Sequence, residues 1–125
     1  MTKGRLQSTR EYLGLTTAAL GQILSVRPDA VRKWETGREP IPRRVPAELA
    51  QLEEATEGGL TELVKTLKDS TQPTVVVYRT DAQMRAAHPE YAHFTARWWR
   101  HLVARALRAV PHAEVVSSET KSSQK

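Results

Sequence analysis

Apolar residues recur at helical spacing along most of this chain, and one short stretch has the character of a β-strand. Leu20 and Leu24 lie four residues apart, and from Leu49 to Leu67 an inward stripe returns every three or four residues. In contrast, "PTVVVYRT" at 73–80 concentrates β-branched and aromatic residues between two turn-forming ones. The pattern predicts a mainly α-helical protein with one strand.

Capping residues and a proline divide the first part of the chain into three short helices. The first is expected over residues 2–13, ended by Gly14, and the second begins after Thr16 as N-cap. Pro28 suits the first position of the third helix, where its missing N–H costs nothing, and Gly37 ends that helix. Three short helices in this order are typical of a small helical bundle.

The remainder is expected to contain a long helix, the strand and two further helices. The apolar stripe keeps its phase across Gly58-Gly59, which favours one bent helix over residues 46–69. Thr80 and Gln83 have capping-box spacing and open a short helix, and the last helix spans residues 92–110.

These elements predict a two-part organisation. We expect a mainly α fold with an N-terminal helix-turn-helix bundle, a long connecting helix, and a C-terminal dimerisation half of one short β-strand and two helices. The expected boundaries are residues 1–70 for DNA binding, 71–112 for dimerisation and 113–125 for a disordered polar tail.

The single strand needs a partner, because an unpaired strand leaves its backbone N–H and C=O groups unsatisfied. We expect it to pair antiparallel with its own copy across a two-fold axis, and the last helix to bury its apolar face in the same homodimer. The predicted interface residues are Val75, Val76, Val77, Tyr78, Phe94, Trp98, Trp99 and Leu102.

Charge is distributed unevenly along the chain, which has a net charge of +5. Residues 1–45 carry nine Lys and Arg against four Asp and Glu, residues 46–72 carry two against six, and residues 73–125 carry eight against four. Localised basic regions are a feature of nucleic-acid-binding proteins.

Several functional classes are disfavoured by composition. The chain has no cysteine, its four histidines lack metal-binding spacing, and no glycine-rich phosphate loop is present. We therefore expect no enzyme activity, no cofactor and no metal. The N-terminus lacks a signal-peptide pattern and no membrane-length apolar run occurs, so we expect a cytoplasmic protein of a bacterial host cell.

The segment "LTTAALGQILSVRPDAVRKWETGR" at 15–38 resembles the helix-turn-helix of Cro/lambda-repressor-type (XRE) regulators. Gly21 stands where that family usually has alanine, and Ser25 stands where its turn usually has glycine. The resemblance implies that the third helix enters the DNA major groove with its outward face toward the bases. It also implies a partly buried ion pair between Arg10 and Glu35, and a core position for Trp34.

The outward residues of the third helix are the predicted base-reading set: Arg27, Asp29, Ala30, Arg32 and Lys33. Arg32 and Lys33 can donate to guanine, and Asp29 can accept from cytosine. Alternatively, Asp29 pairs with Arg32 or Lys33 within the helix. The predicted DNA-backbone contacts are Thr16, Thr17, Thr36, Arg38, Arg43 and Arg44, of which the last two could instead enter the minor groove or be solvated.

Beyond the helix-turn-helix, "KWETGREPIP", "TVVVYRTDAQM" and "HPEYAHFTARWW" are similar to segments of the anti-CRISPR-associated (Aca) autorepressors and related bacterial and phage regulators. This resemblance implies a homodimeric repressor that binds an inverted repeat in double-stranded DNA and regulates its own phage or mobile-element operon. It does not imply that an anti-CRISPR gene lies nearby.

Two other functions share part of this pattern. An antitoxin would use the same DNA-binding half and mask a toxin with the other. A regulator that also binds its own mRNA could use the basic side of the last helix, with Trp98 and Trp99 stacked on RNA bases. The residues on that side are Arg97, Arg100, His101, Arg105 and Arg108. A solvated polar face, with both tryptophans in the core, is the alternative.

Overall fold

The computed structural model describes residues 1–118 of the chain. Helices dominate this part and are accompanied by a small two-stranded sheet, so the predicted mainly α fold class is confirmed. The chain divides into two compact units, Met1–Ala55 and a second unit that begins at Thr56. This boundary lies within the long helix, whereas the sequence suggested a division at residue 70.

The first unit begins with two capped helices. Helix α1 (Lys3–Tyr12) follows Thr2, whose side chain accepts a hydrogen bond from Arg5 N, and it ends before Gly14 at φ +72°. Helix α2 (Thr17–Ile23) follows Thr16, whose Oγ1 accepts from Ala19 N at 3.0 Å. Each cap satisfies one of the backbone donors that a helix start leaves unpaired.

Helix α3 (Ala30–Glu35) begins two residues later than the sequence indicated. Pro28 and Asp29 form a turn in which Ala30 N donates to Arg27 O at 3.0 Å, so Pro28 precedes the helix and does not open it. Gly37, at φ +80°, ends α3 as expected, because glycine adopts this left-handed conformation without a steric penalty.

Side chains from these helices form the core of the first unit. Trp34 is 4% exposed, which confirms its predicted core position. Gly21 lies where α2 approaches α3, and a Cβ there would lie 3.5 Å from Arg27 O and 3.8 Å from Val31 Cγ2. The other buried apolar residues of the unit are Leu6, Leu13, Leu15, Leu20, Leu24, Val31, Val45, Leu49 and Leu52.

Helix α4 (Val45–Lys68) runs without a break through Gly58-Gly59, so the prediction of one helix is confirmed. The two glycines have different surroundings. A Cβ on Gly58 would meet nothing within 4 Å, whereas a Cβ on Gly59 would lie 3.0 Å from Tyr91 Oη. Gly59 therefore leaves the space that the tyrosine hydroxyl occupies.

The second unit continues with strand β1 (Thr74–Val77) and helix α5 (Asp81–Ala87). The predicted capping box is present, since Thr80 Oγ1 accepts from Gln83 N at 3.1 Å and Gln83 Oε1 accepts from Thr80 N at 3.3 Å. A 3₁₀ turn (Pro89–Tyr91) follows.

Helix α6 (Ala96–Ala109) begins four residues later than predicted, because Thr95 is its N-cap. Phe94 therefore lies before the helix, and its ring stacks on that of Trp98 at 4.0 Å and 7°.

Strand β2 (Glu114–Ser117) was assigned to the disordered tail in our sequence analysis, and this assignment was wrong for these four residues. It pairs with β1 in parallel, with Val75 opposite Val115 and Val76 opposite Val116. The expectation that β1 lacks a partner within its own chain was therefore wrong, because β2 pairs with one of its edges. Pairing of the other edge with a second copy stays a prediction. Residues 119–125 of the predicted tail lie outside the described part.

The apolar face of α6 is buried within the chain itself. Phe94 is fully buried, Trp98 and Leu102 are 1% exposed, and Trp99 is 4% exposed. Trp98 Nε1 donates to Thr56 Oγ1 at 3.0 Å, and Trp99 Nε1 donates to Val76 O at 2.8 Å. The fold of one chain therefore already covers these four side chains, so their burial requires no second copy.

Candidate nucleic-acid interface

The turn between α2 and α3 is held by local backbone hydrogen bonds. Val26 N donates to Gly21 O at 2.9 Å, and Ser25, at φ +57°, is the one non-glycine residue of the described chain with a positive φ. Serine at this position thus adopts the left-handed conformation in which glycine is favoured. The turn directs the chain back so that α3 packs on α2.

Helix α3 has one buried side and one outward side. Val31 is fully buried and Trp34 nearly so, which fixes the rotation of the helix about its axis. Of the five residues predicted to read bases, Arg27, Asp29 and Arg32 are exposed, and Ala30 and Lys33 are half-buried. Helix α3 thus presents Arg32 and Lys33, and the turn before it presents Arg27, as possible hydrogen-bond donors to base edges.

The alternative interpretation of Asp29 is observed in this structure. Lys33 Nζ lies 3.2 Å from Asp29 Oδ2, one helical turn away, and 3.8 Å from Glu39 Oε2. The hydrogen bond from Lys33 lowers the pKa of Asp29 below its ordinary value. Two carboxylates therefore lie beside the Lys33 ammonium and compete with any further acceptor.

Arg27 and Arg32 differ from Lys33, because neither guanidinium has a hydrogen-bond or ion-pair partner within residues 1–118. Arg32 belongs to α3, whereas Arg27 lies in the turn before it. Arg32 is thus the base-reading candidate that lies on a helix and whose guanidinium has no polar partner among the described residues.

The three threonines predicted to contact DNA phosphates have different hydrogen bonds. Thr16 Oγ1 accepts from Ala19 N, which leaves its own proton available for a phosphate oxygen. Thr36 Oγ1 instead donates to Arg32 O at 3.0 Å, so its proton is already engaged. Thr17 is the half-buried first residue of α2.

The predicted backbone-contacting arginines are also not equivalent. Arg44 Nη1 contacts both carboxylate oxygens of Glu48 at 2.8 and 2.9 Å, and Arg44 Nη2 donates to Leu24 O at the end of α2 at 3.1 Å. Arg44 therefore has a structural role in the first unit. Arg38 and Arg43 are exposed, and within the described chain their guanidinium groups have no such partner.

An ion pair joins α1 to α3, as the resemblance implied. Arg10 Nε and Nη2 donate to the two carboxylate oxygens of Glu35 at 2.7 and 2.9 Å, and Arg10 Nη1 donates to Leu15 O at 2.9 Å. The hydrogen bond to Glu35 raises the pKa of Arg10. This bidentate contact fixes the helix that carries Arg32 relative to the start of the chain.

Two carboxylates that restrain the basic residues were missed from sequence. The Arg44–Glu48 pair has i, i+4 spacing and could have been found by that signal. Glu39 lies beyond Gly37, and its approach to Lys33 depends on the path of the chain after α3, which no periodicity indicates.

The predicted interface residues of β1 have a mixed environment. Val75 is buried in the second unit, whereas Val76, Val77 and Tyr78 are half-buried. The aromatic side chain of Tyr78 lies beside those of His88 and Trp99, with ring centroids 5.7 and 6.5 Å apart. Only part of this strand thus remains accessible to a partner.

Several basic groups of α6 already have intramolecular partners. Arg100 Nη1 donates to Tyr78 O at 2.7 Å, and Arg105 Nη2 donates to Glu57 Oε2 at 2.6 Å. Because Trp98 and Trp99 are buried, their rings do not form a stacking surface for RNA bases. Arg97 and Arg108 are exposed.

Residues 1–118 contain no group of three or more histidine and acidic residues arranged to hold a metal ion. None of the helices in the same range combines the length and apolar character needed to cross a bilayer.

Comparison with known proteins identifies a family. A family model described as Aca2/YdiL-like matches residues 1–114, which include all the described helices and the start of β2. No curated protein matches the chain. The family match agrees with the resemblance to anti-CRISPR-associated regulators that the sequence motifs indicated.

Proposed function

The chain belongs to the Aca2/YdiL-like family of anti-CRISPR-associated-type regulators, and from this premise we propose that it is a sequence-specific DNA-binding transcriptional repressor. It acts as a homodimer on an inverted-repeat operator and regulates its own phage or mobile-element operon. The observation that carries this proposal is the outward side of α3, where Arg32 is exposed and unrestrained while Val31 and Trp34 anchor the helix.

In the proposed complex, α3 lies in the major groove and Arg32 donates to O6 and N7 of a guanine. Arg27 approaches from the turn, and Ala30 contacts a thymine methyl group. Lys33 exchanges its contact with Asp29 for one with a base, so its contribution is smaller than that of Arg32. Thr16, Thr17, Arg38 and Arg43 contact phosphates and set the register of α3 without reading sequence.

The homodimer is inferred from the short length of α3, the helix proposed to read the bases. Helix α3 has six residues and covers one half-site, so two copies with α3 about 34 Å apart are needed for an inverted repeat. We place the contact between copies in the second unit. Within residues 1–118 its sheet has two strands, and Val115 on β2 is 40% exposed.

Repression follows if the dimer covers promoter DNA and excludes RNA polymerase. Phosphate contacts by several basic residues release counterions, so affinity falls steeply as salt is raised.

The test is the affinity of single-charge variants for a duplex that the protein enriches from a random library. Arg32→Ala should remove the preference at one base pair of each half-site, which corresponds to about 1–3 kcal/mol of lost discrimination. Arg108→Ala removes the same charge from the exposed side of α6 and should leave sequence preference unchanged. Fluorescence anisotropy with matched and mutated duplexes measures both. Unchanged discrimination in Arg32→Ala would reject α3 as the reading element.

A further inference from the structure

A cleft of about 430 Å³ opens in the second unit, beside the aromatic cluster, and its lining includes no residue predicted to contact DNA. Helix α4 contributes Glu62 and Leu63 to its lining, and the 3₁₀ turn contributes Glu90 and Tyr91. His88 and Trp99 complete the aromatic part of the wall. Small-molecule sites commonly combine an apolar wall with a few polar groups in this way.

The aromatic wall is held in place by its own packing. The His88 ring stacks on Trp99 at 4.2 Å, and the Tyr91 ring lies 5.0 Å from that of Trp98. The Tyr91 hydroxyl lies against the backbone of Gly59, where a Cβ would come within 3.0 Å of it. Within residues 1–118 this hydroxyl has no hydrogen-bond partner, so it remains available to a ligand.

The charge of the cleft is opposite to that of the whole chain. Its lining includes two carboxylates and neither lysine nor arginine, although the chain carries a net charge of +5. Glu62 has no ion-pair partner in the described chain, and Glu90 has a distant one in His88 Nδ1 at 3.7 Å. Burial raises the pKa of Tyr91, and the charges of Glu90 and Glu62 raise it further.

We propose that this cleft binds an ammonium group on a short aliphatic chain, carried by a free amine or by a lysine side chain. The three N–H donors of the ammonium are matched by the carboxylates of Glu62 and Glu90 and by Tyr91 Oη. The alkyl chain packs on Leu63 and the edge of the aromatic wall. The two carboxylates would repel an anion, because the lining contains neither lysine nor arginine. A neutral alcohol would gain no attraction from their charge.

The proposal is independent of DNA binding and is tested on the full-length protein by ¹⁵N NMR titration. n-Pentylamine is compared with 1-pentanol, an uncharged molecule of the same length, and with Nα-acetyl-lysine N-methylamide. We expect saturable shifts for the amine at the backbone amides of Tyr91 and His88 and at the Trp99 indole, with a Kd on the order of 1 mM. Equal shifts with 1-pentanol, or no saturable shift with either amine, would overturn the proposal. Tighter binding of the lysine derivative would assign the cleft to a lysine side chain, and tighter binding of pentylamine to a free amine.

Two variants locate the site. Glu62→Gln should weaken binding of n-pentylamine about fivefold or more, because it removes one unit charge near the ammonium. Glu54→Gln makes the same change at an exposed position of α4 that does not line the cleft, and it should leave the Kd unchanged. Tyr91→Phe keeps the ring and removes the hydroxyl acceptor, and it should also weaken binding. Equal Kd values for Glu62→Gln and Glu54→Gln would show that the amine binds elsewhere or without specificity.

Discussion

Ser25 adopts a left-handed backbone conformation, φ +57°, in the turn that positions α3 against α2. A residue with a Cβ is strained there by about 1–2 kcal/mol relative to glycine. The sequence resemblance indicated this position because serine replaces the usual glycine. In the structure, the turn keeps the left-handed conformation although serine occupies the position, so Ser25 is strained.

We therefore expect Ser25→Gly to raise the free energy of unfolding by about 0.5–1 kcal/mol, because the relief of strain exceeds the added freedom of the unfolded chain. Ser8→Gly is the matched control, since Ser8 is exposed in the middle of α1 and glycine there should cost about 0.5 kcal/mol. Urea unfolding measures both. A lower stability for Ser25→Gly would contradict the strained turn.

The Arg10–Glu35 ion pair is the best-defined polar contact of the first unit. Both side chains are about one-tenth exposed, at 11% and 8%, so removing one partner leaves a poorly solvated charge. Arg10 is also 3.7 Å from Glu11, but that carboxylate is 62% exposed. Two carboxylates thus contact the same arginine in different environments.

This difference gives a matched pair of substitutions. Glu35→Gln should destabilise the protein by about 3 kcal/mol, since it leaves the Arg10 guanidinium buried without its counter-charge. Glu11→Gln, next to the same arginine, should cost less than about 0.5 kcal/mol because water screens the exposed pair. Thermal unfolding of the two variants distinguishes them. Equal melting temperatures would show that the pair does not fix α3.

At the residue scale, the sequence was informative where a contact is local or part of a known pattern. Thr16 and Thr80 cap their helices as their spacing indicated. The hydrogen bond from Arg44 to Leu24 O and the approach of Lys33 to Glu39 were not predictable, because both depend on how the segment after Gly37 returns past α2 and α3.

At the scale of elements, helices were easier to predict than strands. A helix of 24 residues such as α4 repeats its apolar spacing many times, so Gly58-Gly59 did not obscure it. Strand β2 has four residues, and its pairing with β1 joins positions about 40 residues apart in the chain. No pattern in the sequence near Glu114 indicates that β1 is its partner. The polar residues that follow β2 are typical of a disordered tail.

The pairing of the strands predicts the effect of truncation. A chain ending at Ala113 lacks β2, which leaves β1 without its backbone partner, and should lose about 1–3 kcal/mol of stability. A chain ending at Ser118 retains β2 and is the control, expected to unfold like the full-length protein. Circular dichroism melting compares them. If the two truncated chains melt at the same temperature, β2 does not stabilise the second unit.

At the scale of the whole molecule, the sequence indicated the family, whereas the homodimer stays a prediction. The family match supports a regulator, and the helix-turn-helix order of the first unit agrees with the motif. The dimer argument from unburied apolar surface failed, because Trp98, Trp99 and Leu102 pack within their own chain. Hydrophobic spacing indicates which residues are buried, but it does not indicate whether one chain or two bury them.

The proposed homodimer now rests on the length of α3 and on the exposure of Val115 in β2, and it makes a prediction about DNA geometry. Two copies of one reading helix impose two-fold symmetry on the bound sequence, with half-site centres about one DNA turn, roughly 34 Å, apart. A single copy would enrich only one unpaired half-site.

Selection of bound duplexes from a randomised library, at a low and a physiological salt concentration, is the most direct test of the proposed repressor. We predict enrichment of an inverted repeat with half-sites about one turn apart, and an affinity that falls as salt is raised while the enriched sequence stays the same. If no sequence is enriched and binding disappears with salt, the basic surface of the first unit binds DNA only by charge, which would contradict a sequence-specific repressor.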